Sequence, residues 1–327
     1  MTLTDGEKIM RIVFMGTPDF AVFSLKALCE NGYTPCAVIS QTDKPRGRGN
    51  KLSPTPVKVY AESLGIPVYQ PKTLRDEDFA KLLSELAPDL IAVAAYGKIL
   101  PPNVLSYPKY GCICVHGSLL PKYRGAAPMQ RAIIDGDSKT GITTMLMDDG
   151  IDTGDMLLKR EIEIAENDNF EVIHDKLAAC GAELLIETIK GVTAGEIVPV
   201  KQPEEGASYA SKIEKSELFT DFSMSARETH NKIRGLSPIP LAYTLNANGE
   251  RMKLVATEVV SDSIDSYEKG KVVALSDKKN GYIDVACASG ILRILTLVPE
   301  GKGRMSAAEY IRGRKIAEGD ILGIQKA

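Results

Sequence analysis

RIVFMGTPDFAVFSLKALCENGYTPCAVIS, residues 11–40, is the stretch whose reading decides the fold class. Arg11 to Met15 is a short apolar run of the kind that forms a buried strand. Helical spacing begins after Asp19, where Phe20, Phe23 and Ala27, flanked by Leu25 and Leu28, make an apolar stripe that stops at Asn31-Gly32. A second apolar run follows at Ala37 to Ser40. Strand, helix and strand in that order predict a βαβ unit, and so parallel strands joined by a crossover helix.

The alternation continues outward from there. Further strands are predicted at Leu90 to Tyr96, Ile113 to Val115 and Ile142 to Met147. Phe170, Ile173, Leu177, Cys180 and Leu184 recur at helical spacing, widened by Leu185 and Ile189, and predict a helix from Asn169 to about Lys190 with Gly191 as its stop. This is the pattern of a largely parallel sheet with helices on its faces. Residues 201–210, KQPEEGASYA, are polar and carry Pro and Gly, which fits a linker or a surface crossing. Beyond them come one short helix around Ser225 to Arg234 and short strands parted by turns at Asn248-Gly249 and Asn280-Gly281. A small β-rich second domain is predicted.

The whole chain, 327 residues with 44% hydrophobic and 25% charged, is long enough for about two domains and excludes a collagen or a disordered tail protein. Lys and Arg number 40 against 43 Asp and Glu, a formal net charge of −3, so nucleic acid is not held by bulk charge. Over 207–327 there are 18 Lys and Arg against 15 Asp and Glu, net +3, leaving 22 against 28, net −6, in residues 1–206. No apolar stretch approaches the roughly 20 residues that span a bilayer, which predicts no membrane association. The polar N-terminus does not read as a signal peptide, and Met10 is a candidate natural start. The six cysteines carry no C-x-x-C pair and read as free thiols in a reducing cytosol.

The turn after the first strand is Gly16-Thr17-Pro18-Asp19-Phe20. It lacks G-x-G-x-x-G, and Pro18 removes an amide that a pyrophosphate cradle would use, so NAD is not expected. No G-x-x-x-x-G-K-[ST] occurs either. Ligands of such sheets sit beyond the C-terminal ends of strands, which points to the loops after Met15, Tyr96, Val115 and Met147. The loop after Val115 begins with His116, a side chain able to accept and return a proton near neutrality, or simply a histidine that caps a strand. His174 and His230 lie in helical stretches and read as surface or packing residues. The cluster Asp148, Asp149, Asp152 and Asp155 could aim a carboxylate at His116, or form an Asp-Gly turn with solvated acids. Its spacing does not fit an EF-hand.

HGSLLPKYRGAAP (116–128), MDDGIDTGDML (147–157), FMGTPDFA (14–21), KPRGRGNKLSPTPVK (44–58), SYASKI (208–213) and GKGRMSA (301–307) together resemble the methionyl-tRNA formyltransferase family, nearly end to end from Met10. The resemblance implies a Rossmann-like formyltransferase domain at 1–200, a linker at 201–210 and an OB-like, tRNA-contacting β-barrel domain at 211–327. It implies 10-formyltetrahydrofolate as donor, the amino group of initiator methionyl-tRNA as acceptor, no metal, and a cytoplasmic monomer. The family's catalytic His and Asp fall on His116 and Asp152, and its folate-contacting run on Ser118, Leu119, Leu120 and Pro121. Its basic tRNA-contacting loop becomes Lys44, Arg46, Arg48 and Lys51 around Gly47 and Gly49. Phe20, placed in the loop after the first strand, is a candidate wall for the methionine side chain.

One residue departs from the family pattern. Cys114 stands where the family has Asn, two residues before the histidine, and a thiol is a weaker donor to a developing oxyanion than an amide. Three readings stay open: a poorer donor in a slower enzyme, an altered or silent tRNA- or folate-binding homologue, or a zinc ligand, since Cys112, Cys114 and His116 alternate on one strand face. A formyltransferase acting on a sugar-nucleotide amine shares the donor chemistry, but Gly125 to Pro128, the basic loop and the second domain favour tRNA.

Overall fold

The computed structural model describes residues 10–46, 51–263, 267–313 and 315–325. By packing, the chain falls into two compact units. The first is built from 1–125, 141–162 and 174–209, and the second from 126–140, 163–173 and 210–327.

The first unit is a Rossmann-like fold. Its sheet runs, edge to edge, Met156–Glu163, Lys139–Leu146, Cys112–His116, Leu90–Ala94, Ile12–Gly16, Ala37–Ile39 and Val68–Tyr69. The strands from Cys112–His116 to Val68–Tyr69 are parallel, with Ile12 opposite Leu90, Val13 opposite Ala37 and Ile91 opposite Cys112. Alternation along these strands feeds two cores. Val13, Met15, Ile91, Val93, Cys112 and Cys114 share one face with Phe79, Leu83 and Leu86 of the Glu77–Leu86 helix. On the other face, the helix residue Gly181 lies so close to Val115 and Ile142 that a Cβ would come within 2.7 Å of Val115.

The Asp19–Glu30 helix buries Phe20, Ala21, Ser24, Leu25 and Leu28, while Phe23 is 40% exposed, so the stripe is centred one residue off the predicted Phe20, Phe23, Ala27 line. Phe20 therefore lies on the helix, not in the loop before it. The long helix runs Phe170–Ala194, through the predicted stop at Gly191. That glycine answers a close approach instead, since its Cβ would fall 2.5 Å from Ile197, and the left-handed residue after the helix is Gly195, with φ +72°. Lys139–Leu146 runs antiparallel to Cys112–His116, with His116 opposite Thr143 and Ile113 opposite Leu146. The loop after Met147 thus starts at the far end from His116, because the rule for ligand loops holds only for strands running the same way.

The second unit has an antiparallel OB-like sheet in the order Tyr243–Leu245, Arg251–Ser261, Ile291–Pro299, Tyr282–Ala286 and Val272–Ser276, with Met305–Ser306 paired to Ile291–Pro299. Met252, Leu254, Ile283, Val285, Leu292 and Ile294 fill its core beneath Ile233 and Leu236. Ser225 and Glu228 form a reciprocal capping box that starts the Ala226–Gly235 helix. Within the same unit the Pro128–Ile134 helix is tied down by Arg131, whose two terminal nitrogens donate to Glu217 at 2.6 and 2.9 Å.

Arg131 holds the Glu217 carboxyl below the usual glutamate range, chiefly through this hydrogen bonding. A depressed carboxyl adds stability above its unfolded pKa and loses it as pH falls through the folded one. Glu217→Gln is therefore expected to lower stability by about 0.5–1 kcal/mol at pH 7, discounted for solvent exposure, and thermal melts should show the difference shrinking as pH falls below the ordinary glutamate pKa of about 4.3.

Candidate active site

His116 ends its strand 6% exposed, and both of its ring nitrogens are met by protein. Nε2 lies 2.9 Å from the Tyr123 carbonyl oxygen, which can only accept, so this nitrogen carries the hydrogen. Nδ1 lies 3.5 Å from Oδ2 of Asp152. The same carboxylate oxygen accepts the backbone N–H of Gly125 at 2.8 Å. Tyr123 and Asp152 both hold left-handed backbones, with φ +63° and +55°, a conformation that costs a non-glycine residue about 1–2 kcal/mol. Asp152 reaches His116 because its loop returns along the face that Cys112, Cys114 and His116 share; its charge is felt at Cys114. Gly154 lets the loop pass, since a Cβ there would lie 1.7 Å from the Leu146 carbonyl oxygen.

The run after His116 is held from several sides. Thr143 donates its hydroxyl to the Ser118 carbonyl at 2.8 Å and accepts the Leu120 N–H at 3.0 Å. Ser118 and Leu120 are buried, and the Ser118 hydroxyl donates to the Lys122 carbonyl at 2.6 Å, whereas Leu119 and Pro121 keep some surface. Ser208 accepts the Tyr123 N–H at 2.9 Å. Gln202 and Arg124, 4% and 2% exposed, form a further layer: Arg124 Nε donates to Gln202 Oε1 at 2.9 Å, and Gln202 Nε2 donates to the carbonyls of Asp152 and Gly154, each at 2.8 Å. Reading the sequence missed Thr143, Arg124, Gln202 and Ser208. Two of them lie in the polar stretch 201–210, whose composition speaks for a crossing and conceals a buried amide.

Cys114 is 9% exposed among Val93, Tyr96, Leu120, Met145 and Met156. Burial, helped by the Asp152 charge, pushes its thiol far above the ordinary range, so it is a neutral, weak donor. Cys112 turns toward the carbonyls of Val104 and Leu105, at 3.7 and 4.0 Å. Among the described residues no group of three or more His, Cys, Asp or Glu side chains could hold a metal ion.

The remaining candidates lie apart from these contacts. The ring of Phe20 is buried and meets that of His174 edge-on, with centroids 5.6 Å apart. His174 also stands 2.9 Å from Asp175 and 3.7 Å from Asp19. His230 is buried between the Thr257 hydroxyl and the Glu166 carbonyl, a packing role. Lys44–Arg46 and Lys51–Ser53 pair as an antiparallel ribbon. Its root is fixed where Lys44 donates to Gln41 at 3.1 Å, and Gln41 in turn donates to the carbonyls of Tyr96 and Gly97. Arg48 lies outside the described residues, and of Arg46 and Lys51 only the backbone is described.

Residues 10–189 match the family Formyl transferase, and 212–315 match Formyl transferase, C-terminal domain. The chain is 50% identical over 314 residues to "Methionyl-tRNA formyltransferase" of Caldanaerobacter subterraneus, covering 96% of this chain and 100% of that protein. It is 46% identical over 315 residues to the protein of the same name from Bacillus subtilis, covering 96% and 98%. Among solved structures, a sugar 3N-formyl transferase with dTDP and 5-N-formyl-THF is similar at TM-score 0.63 and 19% identity, over 91% of this chain and all of that one. HypX from Aquifex aeolicus with tetrahydrofolic acid is similar at 0.62 and 17%, over 93% of this chain and 47% of that one. At such identities the solved structures speak for the fold.

Alkylation requires thiolate. Burial raises all six thiols, Cys114 strongly, Cys112 to about 12 and Cys287 to about 11, while Cys29 and Cys36 keep more of their surface exposed. Iodoacetamide at about pH 8 is expected to label Cys29 and Cys36 in the folded protein and to spare Cys112, Cys114 and Cys287, as read by mass spectrometry.

Proposed function

Because this chain belongs to the methionyl-tRNA formyltransferase family, matching its relatives over nearly their full length, we propose that the pair His116–Asp152 is the catalytic centre of formyl transfer to initiator methionyl-tRNA. The reaction moves the formyl group of 10-formyltetrahydrofolate to the methionine amino group, for the initiation of translation. The observation that carries the assignment of residues is one geometry: a histidine at a strand end, with Asp152 at Nδ1 and that carboxylate pinned by the Gly125 N–H.

The neutral amine attacks the formyl carbon, forming the new N–C bond and a tetrahedral oxyanion. The His116 Nε2–H, bonded to the Tyr123 carbonyl in the resting protein, is the donor that the oxyanion competes for. Asp152 orients the ring and helps pass the proton lost by the amine to the departing folate nitrogen. Collapse of the intermediate then breaks the bond from the formyl carbon to that nitrogen, leaving formyl-methionyl-tRNA and tetrahydrofolate. Ser118, Leu119, Leu120 and Pro121 form the proposed folate-side wall. The hydroxyl of Ser118 is engaged internally, so contact falls to the backbone and to Leu119 and Pro121.

Phe20, steadied by His174, is the proposed wall for the methionine side chain. Lys44, Arg46, Arg48 and Lys51 form the proposed phosphate-contacting arm. The division into a catalytic domain at 1–200 and a tRNA-contacting domain at 211–327, joined through 201–210, belongs to the same reading, with 201–209 packed into the first unit, as does action by a monomer in the cytoplasm. No described helix is long and apolar enough to cross a membrane.

Labelled formyl transfer from folate to methionyl-tRNA tests the assignment. His116→Ala and Asp152→Asn are each expected to lower kcat on the order of 100-fold or more, and an unchanged kcat in either would remove that residue from the centre. Cys114 gives a separate expectation. As a buried neutral thiol it contributes little to the oxyanion, so Cys114→Ala should stay within about 3-fold of the parent rate, while Cys114→Asn should raise kcat by about 10-fold or more.

A further inference from the structure

We propose that Gln202 is a positioning residue for Asp152, holding the carboxylate against His116 from a segment whose composition reads as a linker. The proposal rests on the assignment of Asp152 given above. Gln202 is buried, and its amide orientation is determined by its partners. The Asp152 and Gly154 carbonyls can only accept, so they face Nε2 at 2.8 Å each, and Arg124 can only donate, so it faces Oε1 at 2.9 Å. One side chain therefore grips the loop on both sides of Thr153.

That grip falls where the backbone needs it. Asp152 holds φ +55°, which an aspartate visits more readily than most residues but does not favour on its own. Its carboxylate is fixed through the Gly125 N–H and its carbonyl through Gln202, while Gly125 directly follows Arg124, which anchors the Gln202 amide. Arg124 and Gly125 thus act on Asp152 by two routes, one to each end of the residue. Gln202 is itself seated by an antiparallel bridge between Met156 and Val200, with N–H to carbonyl distances of 2.8 and 2.9 Å. Pro203 follows and stiffens the chain beyond it. Gln202 contacts neither ring nitrogen of His116, so its effect on the reaction passes through Asp152.

A double-mutant cycle on the full chain tests this, with kcat and KM for 10-formyltetrahydrofolate as the readouts. Gln202→Ala is expected to lower kcat on the order of 10–100-fold, with KM unchanged within about 2-fold, because a displaced carboxylate weakens the chemical step and leaves ground-state binding alone. In an Asp152→Ala background the same change should cost less than about 3-fold, since the group it positions is gone. Equal losses in both backgrounds, full activity of Gln202→Ala, or a rise in KM with kcat unchanged would each overturn the proposal. If Asp152→Ala alone keeps the parental kcat, the assignment of Asp152 falls and this proposal with it, and that single variant identifies the cause. Thermal melting reveals whether Gln202→Ala folds; should it not, Gln202→Glu carries the same cycle. It keeps an acceptor toward Arg124 and turns its other carboxylate oxygen, in place of the amide N–H groups, on the two carbonyls, and the same loss of kcat, confined to the chain with Asp152, is expected.

Discussion

Both ring nitrogens of His116 face residues with left-handed backbones, and most of the surrounding architecture exists to keep those two residues there. Tyr123 needs φ +63° to turn its carbonyl to Nε2, and Asp152 needs φ +55° to bring its carboxylate to Nδ1. Neither conformation is one that an ordinary residue holds unaided. Tyr123 is kept by the Ser208 hydroxyl on its N–H, and Asp152 by Gly125 and Gln202. The strain is small beside the burial of the core beneath it, where each fully buried Ile, Val or Leu contributes about 1.5–3 kcal/mol. A stiff parallel sheet can bear such loops where a mobile surface could not.

The sheet also sets apart the candidate groups that alternate along one strand. Cys112, Cys114 and His116 share a face, but their surroundings differ along it. Cys112 is sealed among apolar side chains, and Cys114 sits at the margin, still felt by Asp152 but buried enough to stay a thiol. Only His116, at the strand end, escapes the apolar layer and meets polar partners on both sides. Position along the strand, more than residue type, separates inert from useful groups here.

Much of this was legible in the sequence. The parallel strands declared themselves by short apolar runs, and His116 by its place at the end of one. Pairing with Asp152 was legible as a possibility, because clustered acids next to glycine suit either a solvated turn or an aimed carboxylate. What could not be read has physical causes. The reversed direction of Lys139–Leu146 leaves no trace in a strand buried over most of its length, because period and apolarity do not depend on direction. Gly191 reads as a helix stop when only local conformation is weighed, and its true reason, Ile197, lies beyond the helix. Gln202 is hidden for a similar reason: a buried amide is explained by carbonyls far away in the chain, and its neighbours Lys201, Glu204 and Glu205 give the segment a surface composition.

The contacts around Gln202 span 78 residues to Arg124 and 50 to Asp152, and Ser208 reaches back 85 residues to Tyr123. The order in which a ribosome delivers the chain then matters. When residues 10–146 have emerged, the parallel strands can pair and bury their core, yet His116 has neither its aspartate nor the hydroxyl that steadies Tyr123. Only after residue 208 has cleared the exit tunnel are all parts available to one another. The scaffold can thus be assembled well before the proposed centre it carries, and the contacts around His116 and Asp152 are complete only when the first unit is almost entirely synthesised.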